Sequence, residues 1–164
     1  MIDLHTHILP GIDDGARDSE ASIQMLQREM QEGVQTVIFT PHYYGKRRSP
    51  KQFIVRRDQA FEKIKSSIPD GLQVRLGTEV FFSGLNMAEN EELCLLAIEG
   101  TKYVLFELPM SEKWQESLWN SLADFICETE YIPIIAHVER YIETQKNPKL
   151  FDRLLKMGCL LQVN

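Results

Sequence analysis

Several features that would indicate common classes of protein are missing from this chain. No run of about 18 apolar residues occurs, so no membrane-spanning segment is predicted. The N-terminus has no basic stretch leading into an apolar segment, so no signal peptide is predicted. The three cysteines, Cys94, Cys127 and Cys159, form no C-x-x-C pair. Because each lies in an apolar stretch, we expect reduced, buried thiols and a cytoplasmic protein.

The chain also lacks the short motifs of several large enzyme classes. No Cys is followed six positions later by Arg, which excludes a cysteine-based phosphate loop. The patterns G-x-S-x-G, G-x-G-x-x-G and G-x-x-x-x-G-K-[ST] are absent too. Serine hydrolase, dinucleotide-binding and P-loop chemistry are therefore not indicated. The formal charge of −6 argues against a general nucleic-acid-binding protein.

Positive charge is concentrated in one segment. Between positions 46 and 57 there is no acidic residue, and without the six basic residues found there the chain carries −12. These six are Lys46, Arg47, Arg48, Lys51, Arg56 and Arg57. We interpret the segment as a basic loop that either docks an anionic partner or is simply a solvated surface.

Apolar periodicity predicts alternating strands and helices within one domain, residues 1–164. The predicted strands are 1–5, 36–42, 72–80, 102–108, 132–137 and 159–164. The predicted helices are one capped by Asp18 or Ser19, one marked by Ala60, Phe61, Ile64 and Ile68, and others at 86–98, at 113–130 and after Asn147-Pro148. This alternation implies an α/β fold in which right-handed crossovers connect parallel strands.

Residues that bind metals or move protons lie at the C-terminal ends of these strands. They are His5 and His7, His42, Glu79, Glu107, His137 and finally Asn164. From His7 onward they are separated by 27 to 37 residues, which is about one strand–helix unit. Because the carboxyl ends of parallel strands open on the same face, we expect these side chains to meet in one pocket.

The side chains in this set suit a metal centre. His5 and His7 are two residues apart on a strand, so they point the same way and could share one cation. An H-x-H motif alone is equally compatible with a structural histidine pair. Asp14, Glu79 and Glu107 could each bridge two cations, and mixed histidine and carboxylate ligands suit manganese, iron or zinc. The complete set favours the metal interpretation.

The segments "DLHTHILPGIDDGA", "TPH", "GTEV", "LFEL" and "IIAHVERY", in this order, closely resemble the polymerase and histidinol phosphatase (PHP) superfamily. The nearest resemblance is to its bacterial manganese-dependent protein-tyrosine phosphatases of capsular and exopolysaccharide biosynthesis. It covers the whole chain and implies a distorted (β/α)7 barrel that holds up to three metal ions. It also implies hydrolysis of phosphotyrosine on a bacterial tyrosine kinase that controls polysaccharide synthesis.

The resemblance implies a role for each matching residue. One metal would be held by His5, His7 and Glu79, a second by Glu79, Glu107 and His137, and a third by Asp14 and His42. Asp13 and Asp3 would orient the metal-binding histidines. A hydroxide bridging the metals would attack phosphorus in line. The residues expected to take part in catalysis are His42, Glu107 and Arg140.

Arg140, in "HVERY", matches the family arginine that binds the substrate phosphate, and a guanidinium fork suits that task. Arg17, after "DDGA", is a second candidate for substrate binding. The basic segment beside His42 could dock an anionic phosphopeptide through Lys46, Arg47 and Arg48.

The chain departs from the family pattern near its end. Barrels of this kind usually have about 250 residues, and neither the family's closing D-x-H motif nor a second phosphate-binding arginine is present in these 164 residues. We therefore expect an incomplete barrel of about six strand–helix units, with fewer ions, slower turnover and open edges that could pair in a homo-oligomer. Two alternatives remain open: a histidinol-phosphatase-like phosphoesterase and a catalytically impaired metal-binding fragment.

Overall fold

The computed structural model describes residues 1–45, 48–83, 92–110 and 113–164. Within them the strands are β1 (Ile2–Thr6), β2 (Thr36–Phe39), β3 (His42–Tyr43), β4 (Gln73–Leu76), β5 (Glu79–Phe81), β6 (Tyr103–Glu107), β7 (Ile132–Ile135) and β8 (Leu160–Leu161). The α-helices are α1 (Ser19–Gln31), α2 (Pro50–Glu62), α3 (Glu116–Glu128), α4 (Ile142–Lys146) and α5 (Lys149–Lys156). Short 3-10 turns cover Lys65–Ser67, Leu93–Leu96 and Val138–Arg140.

All paired strands are parallel and follow the order of the chain. One sheet has the order β1-β2-β4 and the other has the order β3-β5-β6-β7-β8. Thr40 and Pro41 separate β2 from β3, and Gly77 and Thr78 separate β4 from β5, so two predicted strands are each broken in the middle. Proline has no N–H for a ladder, which accounts for the first break. The first parts of these two predicted strands, β2 and β4, pair in one sheet, and their second parts, β3 and β5, pair in the other.

The predicted α/β class with parallel strands is confirmed. Among the described residues, no hydrogen-bonded ladder joins β8 to β1, so the strand series is not closed. An open series of this kind agrees with the expected incomplete barrel. The self-association expected from open strand edges stays a prediction.

Helix α2 shows that the loop interpretation of the basic segment is wrong for residues 50–57. The helix begins at Pro50 because the Ser49 hydroxyl accepts a hydrogen bond from the Gln52 N–H, while the Gln52 side chain accepts one from the Ser49 N–H. This reciprocal capping box and a proline in the first turn are strong signals for the start of a helix. Lys51, Arg56 and Arg57 are therefore helical residues.

The predicted helix at 86–98 is wrong over its described part, where only the turn Leu93–Leu96 forms. Residues 86–91 of that prediction lie outside the described residues. The short helix α4 was not predicted. No helix within the described ranges combines the length and the apolar character needed to cross a bilayer.

The expectation of three buried thiols holds for only one of them. Cys159 is buried, and burial raises the pKa of its thiol to about 12. Cys94 and Cys127 are exposed, because each lies on the outer side of the helical turn that carries it. Their apolar neighbours in the sequence belong to the opposite, core-facing side.

Strands β2, β6 and β7 are buried on both faces, as is usual for parallel sheets. On β6, Val104 and Phe106 pack into the main core with the helices, while Leu105 packs with Ile38 and Ile134 in a smaller cluster. Both faces of these strands are therefore committed to packing. The C-terminal strand ends remain as the edge where polar side chains can gather.

Candidate metal centre

One pocket of about 360 Å³ lies where β1, β6 and β7 end and where β3 and β5 begin, so His42 and Glu79 are the first residues of their strands rather than the last, as was predicted. Its lining includes all seven predicted metal ligands, namely His5, His7, Asp14, His42, Glu79, Glu107 and His137. Arg140, Met110, Gly15 and Asn164 complete it. Strand register explains the convergence, because His42 lies opposite Glu79 in the β3–β5 ladder. The structure thus brings together residues that are spread over most of the chain.

Glu79 lies at the centre of this pocket and is fully buried. Its Oε2 atom is 3.1 Å from three imidazole nitrogens, which are His5 Nε2, His7 Nε2 and His42 Nδ1. Its Oε1 atom is 2.9 Å from His137 Nε2. Nevertheless, neither Glu79 Oε2 nor His42 Nδ1 has a well-oriented hydrogen-bond partner among the described residues. Buried polar atoms that approach one another without bonding are costly unless a further group lies between them.

Three groups of side chains place their donor atoms close enough to share an ion. They are His5, Glu79 and His137; His7, His42 and Glu79; and His7, Asp13 and Asp14, with the donor atoms of each group within 4.8 Å of one another. Glu107 lies at the margin, 3.7 Å from His42 Nδ1 and 4.0 Å from His137 Nε2. His5, His7 and Glu79, the first ligand set that the resemblance implies, also lie together, because His5 Nε2 and His7 Nε2 are 3.2 Å apart and each is 3.1 Å from Glu79 Oε2.

The electrostatics of the pocket are dominated by its carboxylates. Burial alone would raise the pKa of Glu79, but His137, His5 and His7 outweigh it and hold that pKa far below its usual range. Burial lowers the pKa of His7, but contacts with Asp13 and Glu79 raise it overall to about 10. Burial and the charge of Glu79 raise the pKa of Glu107. Without an ion, the neighbouring carboxylates therefore favour a proton on His7.

Asp13 fixes the position of two of the histidines. Its Oδ2 atom lies 2.8 Å from His7 Nδ1 and accepts a hydrogen bond from the His42 N–H at 3.0 Å. Gly15 lies so close to His7 that an added Cβ would overlap the His7 carbonyl oxygen and Cβ. The Asp-Asp-Gly turn therefore packs directly against His7. The Nε2 atom of His7 is left facing the pocket.

Gln162, just after β8, is a site residue that the sequence reasoning missed. Its Oε1 atom accepts the His137 N–H at 2.7 Å and lies 3.1 Å from His5 Nδ1. His137 has a left-handed backbone with φ of 33°, which is strained for a residue other than glycine. One amide oxygen thus holds both that backbone and the ring of His5. Its place at the end of a strand was the available signal.

Of the predicted substrate-binding residues that the structure describes, only Arg140 lines the metal pocket. Arg140 lines the pocket with a half-exposed side chain, 3.6 Å from Glu139. Arg17 is exposed, pairs with Asp18 and is not part of the pocket lining. Arg48 lines a neighbouring pocket. Lys46 and Arg47 lie outside the described residues.

Comparison with known proteins places this geometry in a family. Residues 1–164 match the family model for capsular polysaccharide synthesis, CpsB/CapC. The chain is 37% identical over 168 residues to the tyrosine-protein phosphatase YwqE of Bacillus subtilis, covering 99% of this chain and 64% of the relative. It is 28% identical over 165 residues to the tyrosine-protein phosphatase CpsB of Streptococcus pneumoniae, covering 100% of this chain and 67% of the relative.

A solved structure shows that the likeness extends to the fold. It comes from crystal structures of YwqE and CpsB, described as unique metal-dependent tyrosine phosphatases, and it matches with a TM-score of 0.78 and 32% sequence identity. The match covers 99% of this chain and 66% of that chain. The chain thus spans about two thirds of the length of the relatives it matches. The predicted resemblance is confirmed, and the chain belongs to the capsular polysaccharide synthesis CpsB/CapC family.

Proposed function

We propose that this chain carries the metal centre of a metal-dependent protein-tyrosine phosphatase. Its substrate would be phosphotyrosine on a protein of capsular or exopolysaccharide synthesis, and a tyrosine kinase of that system is the partner we favour. The names of the relatives and the family description support this choice of reaction and process. We propose that the chain acts in the cytoplasm, where the catalytic domain of such a kinase would lie.

The single observation that carries the proposal is the environment of Glu79. Three imidazole nitrogens approach one buried carboxylate oxygen at 3.1 Å, and that oxygen has no well-oriented hydrogen bond within the described chain. A cation between these atoms would satisfy all of them. Nitrogen and carboxylate oxygen donors in such a mixture suit Mn²⁺, Fe²⁺ or Zn²⁺. We propose manganese as the physiological ion.

The residues present fit such ions. Glu79 could be shared between two of them, since His5, His7 and His42 approach its Oε2 atom and His137 approaches its Oε1 atom. Asp14 and Glu107 lie within reach as further ligands. When bound, such ions lower the pKa of water and neutralise charge on phosphoryl oxygens.

The side chains of the chain itself have separable tasks in this reaction. Arg140 is the guanidinium in the pocket lining, and it can hold two phosphate oxygens through parallel hydrogen bonds. Asp13 keeps Nε2 of His7 turned towards the pocket through its contact with Nδ1. The phenolate of tyrosine is a fair leaving group, so this reaction does not depend on a strong general acid.

Hydrolysis of p-nitrophenyl phosphate by the purified chain with added Mn²⁺ tests the enzymatic proposal. His137→Ala should abolish this activity and lower the number of manganese atoms bound per chain. Equal activity of the two forms would contradict the role of His137, and no activity above background in either form would contradict the proposal and favour an inactive metal-binding fragment. Turnover of a phosphotyrosyl peptide should exceed that of histidinol phosphate, and the reverse order would favour the small-molecule phosphoesterase.

Arg140→Lys tests the phosphate-binding role. Loss of the bidentate fork should reduce kcat/KM for the phosphotyrosyl peptide by about tenfold or more, while the manganese content stays the same. Arg28→Lys, a change of the same kind on the exposed face of α1, serves as the control. An Arg140→Lys protein with unchanged kcat/KM would contradict this role.

A further inference from the structure

A second pocket, of about 580 Å³, adjoins the metal centre. Asp14 and His42 line both pockets, so a molecule held in one lies beside the other. The second pocket is built on the segment after β3 and on the first two turns of α2. Neither the metal centre nor the proposed hydrolysis makes use of it.

Aromatic side chains line the second pocket. The Tyr44 ring stacks on the imidazole of His42 with a centroid distance of 5.2 Å, and it is 55% exposed. Tyr43 and Phe53, which also line the pocket, are buried and pack against each other at 5.1 Å. An apolar side chain that enters this pocket would therefore lie against aromatic rings directly beside a predicted metal ligand.

The second pocket is lined by groups of both charges. Of its two carboxylates, Asp13 contacts His7, and Asp14 lies 3.5 Å from His42 Nε2. Its two arginines are Arg48 and Arg56, and no ion pair between either arginine and a carboxylate is found among the described residues. Arg56 donates one hydrogen bond to the Gly11 carbonyl oxygen at 3.2 Å, which holds α2 against the loop after β1.

We propose that this second pocket is an accessory subsite for the polypeptide next to the phosphotyrosine. The inference rests on the proposed phosphatase function, which places the phosphotyrosine itself in the metal pocket. An apolar side chain of the substrate would pack on Tyr44 and Phe53, and a neighbouring acidic side chain would pair with Arg48 and Arg56.

Charge complementarity selects an acidic segment as the occupant. The chain as a whole carries −6, so an acidic peptide is repelled by most of its surface. Two arginines beside the metal pocket provide a local exception. Exposed pairs of this kind contribute little binding energy but do discriminate between partners.

Fluorescence anisotropy with the manganese-loaded chain tests the subsite. The probes are two labelled peptides that carry a non-hydrolysable phosphonate analogue of phosphotyrosine, one flanked by Asp and Leu and one flanked by Asn and Ala. Arg48→Ala should weaken binding of the acidic peptide by about threefold to fivefold and affect the neutral peptide less. Lys63→Ala, the same charge change at a residue that lines neither pocket, should affect neither peptide.

Kinetics supply the second readout. Arg48→Ala should lower the ratio of kcat/KM on the acidic phosphotyrosyl peptide to kcat/KM on p-nitrophenyl phosphate, and salt at about 0.5 M should abolish that difference. Tyr44→Phe, which keeps the ring, should bind the apolar flank normally, whereas Tyr44→Ser should not.

The outcomes separate the two proposals. If p-nitrophenyl phosphate is hydrolysed and Arg48→Ala binds both peptides as the unaltered chain does, the subsite is wrong. If no form hydrolyses p-nitrophenyl phosphate while the Arg48 dependence of peptide binding persists, the phosphatase proposal fails and the subsite stands. Equal losses on both peptides would also overturn the subsite, since they would indicate a general structural defect.

Discussion

The two adjoining pockets differ in how their side chains are supported. In the metal pocket, His5, His42 and Glu79 lie on or at the ends of paired strands, and hydrogen-bonded register sets their separation. In the second pocket, Tyr44 and Arg48 lie on a connecting segment, and Arg56 lies on a helix. Chemistry that needs ångström precision is thus built on strands. Recognition, which tolerates more movement, is built on the loop and the helix beside them.

Glu79→Gln is expected to have the largest effect on the metal pocket, and so to distinguish it most clearly from the second pocket. The substitution keeps the volume but removes the charge that four imidazoles face, so manganese affinity should fall by more than about 100-fold. Isothermal titration with Mn²⁺ measures this, with Glu128→Gln on the exposed side of α3 as the control. Unchanged manganese affinity would mean that Glu79 is not at the centre of a metal site.

Gln162→Leu should have a smaller effect on the same pocket. The leucine cannot accept hydrogen bonds from His5 and from the His137 backbone, and the loss of such orienting contacts weakens metal binding by about tenfold. Gln162→Glu keeps an acceptor oxygen and should retain most of the affinity. Gln27→Leu on α1 is the matched control. If the Leu and Glu variants bind manganese equally, the role of Gln162 is limited to packing.

The pH dependence of the free energy of unfolding should also distinguish the two pockets, and it can be measured without an activity assay. In the metal-free chain, His7 has a pKa of about 10 against an ordinary value of 6.5, because Asp13 and Glu79 outweigh its burial. The folded state therefore holds the proton more tightly. This contribution to stability is fully present below pH 6.5 and is lost as the pH rises through about 10.

Urea unfolding across this range measures that loss. His7→Gln should flatten the decline, whereas Arg48→Ala in the second pocket should leave its slope unchanged. Saturation with Mn²⁺ should also remove the decline in stability with pH, because ligation requires neutral imidazole. A metal-free chain whose stability stays constant over this range would contradict the proposed proton on His7.

Ser49→Ala should have the smallest effect. It should lower the stability of α2, which contributes to the second pocket, and leave the metal pocket unchanged. Loss of the hydroxyl should lower the free energy of unfolding by about 1 kcal/mol, since the Gln52 N–H then loses its acceptor, whereas the bond from the backbone N–H of residue 49 to the Gln52 side chain is retained. Ser66→Ala, at an exposed position, is the control for chemical denaturation. Manganese affinity should not change, and a fall in that affinity would show that the two pockets are energetically coupled.

The sequence predicted the metal pocket because a simple rule governs it. Strand ends on one edge converge, so the order of strands and helices along the chain is enough to group His42, Glu79 and His137. The approach of His42 to Glu79 and the left-handed backbone of His137 could not be predicted, because they depend on side-chain rotamers and on local backbone geometry. Gln162 was missed because an amide is neither a common ligand nor a common acid or base.

The second pocket escaped prediction for a different reason. Its aromatic residues are of types that usually pack in a core, and only Tyr44 is left half-exposed by the fold. The start of α2 was visible in the letters Ser-Pro-Lys-Gln, but the surrounding charges favoured a loop. Here the local capping chemistry of Ser49 and Gln52 was a better guide than composition.

The contact between His5 and Gln162 joins residues 157 positions apart in the chain. Closing so long a segment costs conformational entropy, and the order β1 to β8 means that His5 meets Gln162 only when the last strand has joined the sheet. We therefore expect the ring of His5 and the backbone of His137 to be held in place only in the fully folded chain. Tight binding of an ion is then expected to follow folding rather than to start it.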